Sequence, residues 1–361
     1  MELIKTELTP KERIRLYEAG EEVDRIPTGL DVSETLPVLY GMKQNEFYFS
    51  SDLMVEEQTR MAEDFHADNM GVGLSLRALV EALGTKLKYS ETALSSICDP
   101  VVKDYRQLDT MGPANIETDG RLPILMETFQ RLMDKFGDER VFGSGMAGPL
   151  TTAMELVGVE KFLMDTIRDP DNIHKLLRYS TDCVIQCARD VHSKLGINMG
   201  LAEPMASREI CGMKQFREFA LPYLKETVDA FQTFQSSPEL HVCGRSRDRW
   251  DDLVNLGISG FSVDNCENIE ELKHLYGNRV SIPGNVAPVD VLRLGTPEDV
   301  DKAVKLCIQQ AGDAPLGFRL EAGCTIPQYT PKENLIAYMN AAAIYGRGAR
   351  KGVMPKGITE G

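Results

Sequence analysis

The chain has 361 residues, 40 of them basic and 55 acidic, giving a net charge of −15; 42% are hydrophobic and 26% charged. This is the composition of a folded, soluble protein with enough apolar side chain for a large core. The acidity excludes a general nucleic-acid binder, which needs clustered Lys and Arg against phosphate, and an anionic membrane surface. No uncharged run approaches the ~20 residues of a membrane span.

The N-terminal stretch Met1–Ile14 has no apolar signal-peptide core. The eight cysteines therefore read as reduced thiols of a cytoplasmic protein, most of them core residues or metal ligands.

In chain order, the first expected element is a helix over about residues 10–19, ending at Gly20 and plugging or flanking the bottom of the fold. Thr9-Pro10-Lys11-Glu12 supplies its N-cap, first-turn proline and reciprocal glutamate. Thr330-Pro331-Lys332-Glu333 repeats that signature, and Thr296-Pro297-Glu298-Asp299 varies it. Eight short apolar or Gly-rich runs read as strands: Arg25–Val32, Asn69–Leu76, Val141–Gly148, Ile197–Glu203, Glu239–Cys243, Ile258–Asp264, Val280–Asn285 and Phe318–Cys324. Helical patterns separate them. Eight βα units predict a (β/α)8 TIM barrel, a single domain over residues 1–361 with an N-terminal helix. The long interval after strand two, about 77–140, is an insertion with a hairpin near Lys86–Tyr89 and a helix near Leu122–Phe136. It is either a wall of the site or a surface excursion.

In such a barrel the chemistry gathers where the strands end. Glu203, His241 with Cys243, Asp264, Asn285 and Cys324 all stand at expected strand ends. His241 and Cys243 are two apart on a strand and so share a face. With Cys324 they make three donors for a borderline-soft cation such as Zn²⁺, leaving one position open. The plainer alternative is that three small side chains fill space.

Glu203 is a fourth ligand, a base, a substrate contact or an ordinary loop carboxylate. Asp264 orients a ligand, meets substrate or caps a helix. Gly284-Asn285 offers close backbone approach and a neutral amide. Gly143 to Pro149 lacks phosphate-loop spacing, and Gly148 is read as leaving room for a large ligand. Cys183 and Cys187, i and i+4 on a helix, read as core, and Trp250 as packed under its loop. Arg245, Arg247 and Arg249 either hold an anionic group or are solvated charge.

These residues resemble the family of uroporphyrinogen decarboxylase and the methylcobamide:coenzyme M methyltransferases over nearly the whole chain. The resemblance is strongest in Gly148-Pro149-Leu150-Thr151, Leu201–Ser207 with Phe216–Tyr223, His241-Val242-Cys243-Gly244, Gly284-Asn285-Val286, and Gly323-Cys324 before Thr330-Pro331. It implies a (β/α)8 barrel. The decarboxylase branch has an Arg-Gln-Ala-Gly-Arg pattern that Arg25–Asp31 lacks. The methyltransferase branch has His-x-Cys and a later Gly-Cys as zinc ligands, which places zinc on His241, Cys243 and Cys324. That branch usually has Asp where Glu203 stands. No Asp-x-His-x-x-Gly cobalt-ligand motif is present, so the corrinoid is expected on a separate partner protein. The resemblance thus implies zinc-dependent methyl transfer between a corrinoid protein and a thiol such as coenzyme M. A decarboxylase acting on a porphyrinogen and a non-catalytic tetrapyrrole carrier are the alternatives.

Overall fold

The computed structural model describes residues 2–32 and 34–360. Its framework is a half-barrel of parallel strands with helices packed outside. In chain order the strands are β1 (Asn69–Met70), β2 (Lys86–Lys88), β3 (Ser96–Asp99), β4 (Val141–Ala147), β5 (Asn198–Ala202), β6 (Glu239–Val242), β7 (Gly260–Val263), β8 (Ile282–Val286) and β9 (Phe318–Ala322). Five pair in the order β1-β4-β5-β6-β7, and β8 pairs with β9, all in parallel. β7 and β8 meet through Phe261 N–H to Ser281 O (3.0 Å) and Ser281 N–H to Ser259 O (2.9 Å).

Seven of the eight expected strands form ladders, and the first does not: in place of Arg25–Val32 there is one parallel bridge, Thr28 to Leu320. The reason is local. Pro27 has no N–H to give. On the other side, side chains stand in for a ladder. Thr28 N–H donates to Asp68 Oδ2 (2.7 Å), Leu30 N–H to Asn69 Oδ1 (2.9 Å), and Asn69 Nδ2 to Leu30 O (2.8 Å). β1 is also shorter than expected. At Gly71, where φ is +148°, a Cβ would lie 2.9 Å from Gly143 O, and only Ser75 returns to bridge Met146.

The helix expected near the start runs Pro10–Glu18, with its Thr9–Glu12 capping box in place. Buried Arg13 ties it to Asp24 (2.7 Å) and to Asp68 (2.5 Å), which precedes β1. Lys11 N–H reaches Glu139 O, just before β4. The helix therefore sits where the strands start. The insertion carries β2 and β3 as an antiparallel hairpin and a helix at Leu122–Phe136. Thr296 caps helix Pro297–Ala311 as expected. Thr330 does not cap helix Lys332–Tyr345, because its hydroxyl turns back to Pro327 O (2.8 Å) and Pro331 takes the cap position.

Apolar side chains from both halves of the chain form a large continuous core, with Cys183 and Cys187 inside it, beside a small cluster of Ala62, Met70 and Leu132. In β6 Leu240 and Val242 are fully buried on one face, so Glu239 and His241 project from the other. Among the described residues, no helix is long and apolar enough to cross a membrane.

Candidate metal centre

β6 delivers His241 near its end and Cys243 just beyond it, and Val242 between them anchors the turn in the core. β9 stops at Ala322, and Gly323 N–H donates to Val286 O (2.9 Å), which aims Cys324 back toward β6. Residue 323 has to be glycine, since a Cβ there would come 2.4 Å from Asn265 N. His241 Nε2 lies 3.0 Å from Cys243 Sγ, which lies 3.2 Å from Cys324 Sγ. All three donor atoms fall within 4.8 Å of one another, and no other such His, Cys or carboxylate group occurs among the described residues.

Neighbours hold each donor in turn. Ser262, which pairs with His241 in register, places its Oγ 3.0 Å from His241 Nδ1, leaving Nε2 facing the sulfurs. Asp264 accepts Gly244 N–H on one oxygen and Cys266 N–H on the other, both at 3.0 Å. Asn285 Nδ2 donates to Asp264 O and Glu267 O, each 3.1 Å, and so fixes the loop bearing Asp264. Asp31 accepts Thr325 Oγ1 at 2.9 Å, beside Cys324.

The two thiols titrate as a pair. The first proton leaves readily. The Cys324 thiolate is held by the Cys243 thiol and then by His241, which lowers its pKa against the cost of burial. The second is retained, because a thiolate already stands beside Cys243 and burial adds to the penalty. At His241 burial opposes the imidazolium charge, but Cys324, Asp31 and Asp264 outweigh it and the pKa rises. Two sulfurs and an imidazole, braced and converging, fit a soft or borderline cation with one position left for another ligand.

Two expected site residues lie elsewhere. Glu203 is fully buried and does not reach the donor group. Its carboxylate accepts Thr151 N–H (2.6 Å), Leu150 N–H (3.2 Å) and the Thr151 hydroxyl. It thereby serves the orphan donors of helix Pro149–Val157, whose N-cap residue Gly148 has no side chain to do so. Burial outweighs these bonds and pushes Glu203 up to about 7. The space at Gly148 belongs to that carboxylate rather than to a ligand, since a Cβ would stand 2.2 Å from Glu203 Oε2.

The arginines divide. Arg245 and Arg247 pair with Glu209 and Glu271 near the surface. Arg249 is buried and donates to the Ala206 and Cys211 carbonyls. Trp250 is buried beneath the loop, with Nε1 on Ser246 Oγ (3.1 Å). Sequence reasoning missed Asp31, Ser262 and Thr325. The alternation that joined His241 to Cys243 also puts Ser262 on Asp264's face, so that signal was present.

The profile described as "Uroporphyrinogen decarboxylase (URO-D)" matches residues 9–345. The chain belongs to the URO-D family. Among curated relatives, methylcobamide:CoM methyltransferase MtbA of Methanosarcina mazei is 28% identical over 345 residues, covering 94% of this chain and 99% of the relative. Methylcobamide:CoM methyltransferase MtaA of Methanosarcina barkeri is 25% identical over 349 residues, with 94% and 99% covered. Among solved structures, a methyltransferase from Methanosarcina mazei superposes with a TM-score of 0.81 at 25% identity, covering 93% of this chain and 98% of its own. Within the family, this chain falls with the methyltransferases.

Proposed function

We propose that this chain is a zinc-dependent methyltransferase that moves a methyl group from a methylated corrinoid, presented by a separate protein, to a thiol of the coenzyme M type. The observation that carries the reading is the convergence of His241, Cys243 and Cys324 where β6 and β9 end. The reading includes one barrel domain over residues 1–361. Bonds from Gly29 N–H to Leu320 O and from Asp68 N–H to Thr28 O, both 2.9 Å, support closure into eight units. Eight free cysteines, three of them exposed or partly exposed thiols of the site and its loop, fit a reducing cytoplasm.

In this mechanism His241 Nε2 and the two sulfurs hold the metal. Bound zinc supplies Lewis acidity that keeps the acceptor as a thiolate near neutral pH. Ser262 fixes the imidazole ring. Asp264, with both oxygens engaged by backbone N–H groups, holds the Cys243 turn, and Asn285 secures Asp264's loop. Glu203 and Gly148 keep helix Pro149–Val157 seated beneath the site. The acceptor loses its thiol proton and gains the methyl group, and the corrinoid keeps the electron pair of the broken bond.

The test is spectroscopic. Methylcobalamin, or a methylated corrinoid protein, mixed with the zinc-loaded protein and coenzyme M should lose its methylated spectrum at a rate set by the thiol. Consumption of uroporphyrinogen by metal-free protein, with no demethylation under a panel of thiols, would replace the proposal with the decarboxylase reading.

A further inference from the structure

Cys324 is the least supported of the three donors by its own element. It lies two residues beyond β9, after a glycine, on an irregular turn. Gly323 N–H on Val286 O holds the turn on its N-terminal side, and on its C-terminal side the sulfur depends on what holds residues 325 and 326. Both are held by one residue. Asp31 accepts Thr325 Oγ1 on its carboxylate (2.9 Å) and Ile326 N–H on its main-chain oxygen (2.8 Å). The arrangement repeats the one across the site, where Asp264 holds the residue after Cys243 (3.0 Å). Each sulfur is thus followed by a residue pinned to an aspartate, and the imidazole is pinned to Ser262.

We infer that Asp31, acting through Thr325, is the positioning residue for Cys324 as a metal ligand. The inference rests on the zinc reading proposed above. Removing either partner of the bond lets the turn rotate, and the sulfur then pays an ordering cost each time the metal binds. Outer contacts of this kind typically alter metal affinity about 10–100-fold. Asp31 also opens toward solvent, so a competing role as a direct oxygen ligand has to be separated from positioning.

The experiment compares the unaltered protein with Asp31→Asn, Thr325→Val, Thr325→Ser and the Asp31→Asn/Thr325→Val double variant. Zinc affinity is read by chelator competition, and cobalt(II)-substituted samples report sulfur ligation through their charge-transfer bands. The expected result is zinc weakened about 10–100-fold in Asp31→Asn and in Thr325→Val, with weaker thiolate bands. The double variant should be no worse than the weaker single, and Thr325→Ser should restore both readouts. Exposed Thr325 can change without threatening the fold, so the Val and Ser variants decide the matter even where Asp31→Asn folds poorly. Full affinity in Thr325→Val overturns the inference, and with a loss confined to Asp31→Asn it makes Asp31 a direct ligand. An unaltered protein that binds no zinc removes the zinc reading itself.

Discussion

The two ends of the strands use charge in opposite ways. Where the strands start, Asp68 lies between Arg13 and Arg25, all three at most 2% exposed, with the Thr28 N–H as a further donor. Opposite charges meet and close that end. Where the strands finish, His241, Cys243 and Cys324 face one another, all potential donors to a cation, and the nearest acids, Asp31 and Asp264, add negative charge. Buried charge is costly unless paired. One end pairs its charges with itself, and the other is arranged around a cation from outside. Changes at the two ends should therefore separate stability from metal binding.

The largest effect is expected at the donors. Cys243→Ser and Cys324→Ser should each cut zinc from about one per chain to a small fraction of that. The unfolding midpoint of the metal-free protein should stay put, because the core lies on the other face of β6. Elemental analysis with denaturant unfolding checks it. Full zinc in both variants would remove those sulfurs as ligands.

The converse is Asp68→Ala, which strands the buried Arg25 guanidinium and leaves buried Arg13 with Asp24 alone. Breaking such a network by removing one partner costs about 3–5 kcal/mol. Denaturant unfolding should show that loss, while folded protein still binds zinc at the unaltered ratio. A variant that kept its stability and lost its metal would contradict the division of labour.

Glu203 sharpens the comparison, because it lies near the site yet acts as a helix cap. Its pKa rises from the ordinary 4.5 to about 7 in the fold, driven by burial. A raised acid pKa means the folded state binds the proton more tightly. The stabilisation is full below pH 4.5 and is lost as pH rises through 7. Glu203→Gln should remove Glu203's share of this dependence and gain about 3 kcal/mol relative to the unaltered protein between pH 4.5 and 8. Glu155, also pushed up to about 7 chiefly by burial, leaves a slope of the same sign and similar size. Unfolding free energies measured across that range decide it, and metal affinity should not move.

The sequence disclosed most where one side chain's chemistry and one periodicity agree. His241 and Cys243 were legible because a strand repeats every two residues, and Cys324 because another strand ends just before it. The seven laddered strands were legible as apolar runs between helices. The first segment was not, because its ladder is replaced by the side chains of Asp68 and Asn69, some 40 residues away. Glu203 was misjudged for a related reason. A carboxylate at a strand end looks the same whether it faces a metal or the N-terminus of a helix earlier in the chain, and the deciding contact at Gly148 is more than 50 residues distant.

The smallest effect tests how finely the metal end is built. Ser262 Oγ meets His241 Nδ1 at 3.0 Å and is, among the described residues, the imidazole's one hydrogen-bond partner away from the sulfurs. That contact sets which nitrogen carries the proton and how the ring is turned. Ser262→Ala leaves the three donors in place, so zinc should still bind at about one per chain, with affinity lowered about tenfold. Stability without metal should hardly change, because the hydroxyl is at the edge of the site rather than in the core. Chelator competition measures the affinity, and Ser262→Thr, which keeps the hydroxyl, should recover most of it. Equal affinity in the Ala and unaltered proteins would mean that ring packing alone orients His241, and the two ends of the strands would then differ only in their charges.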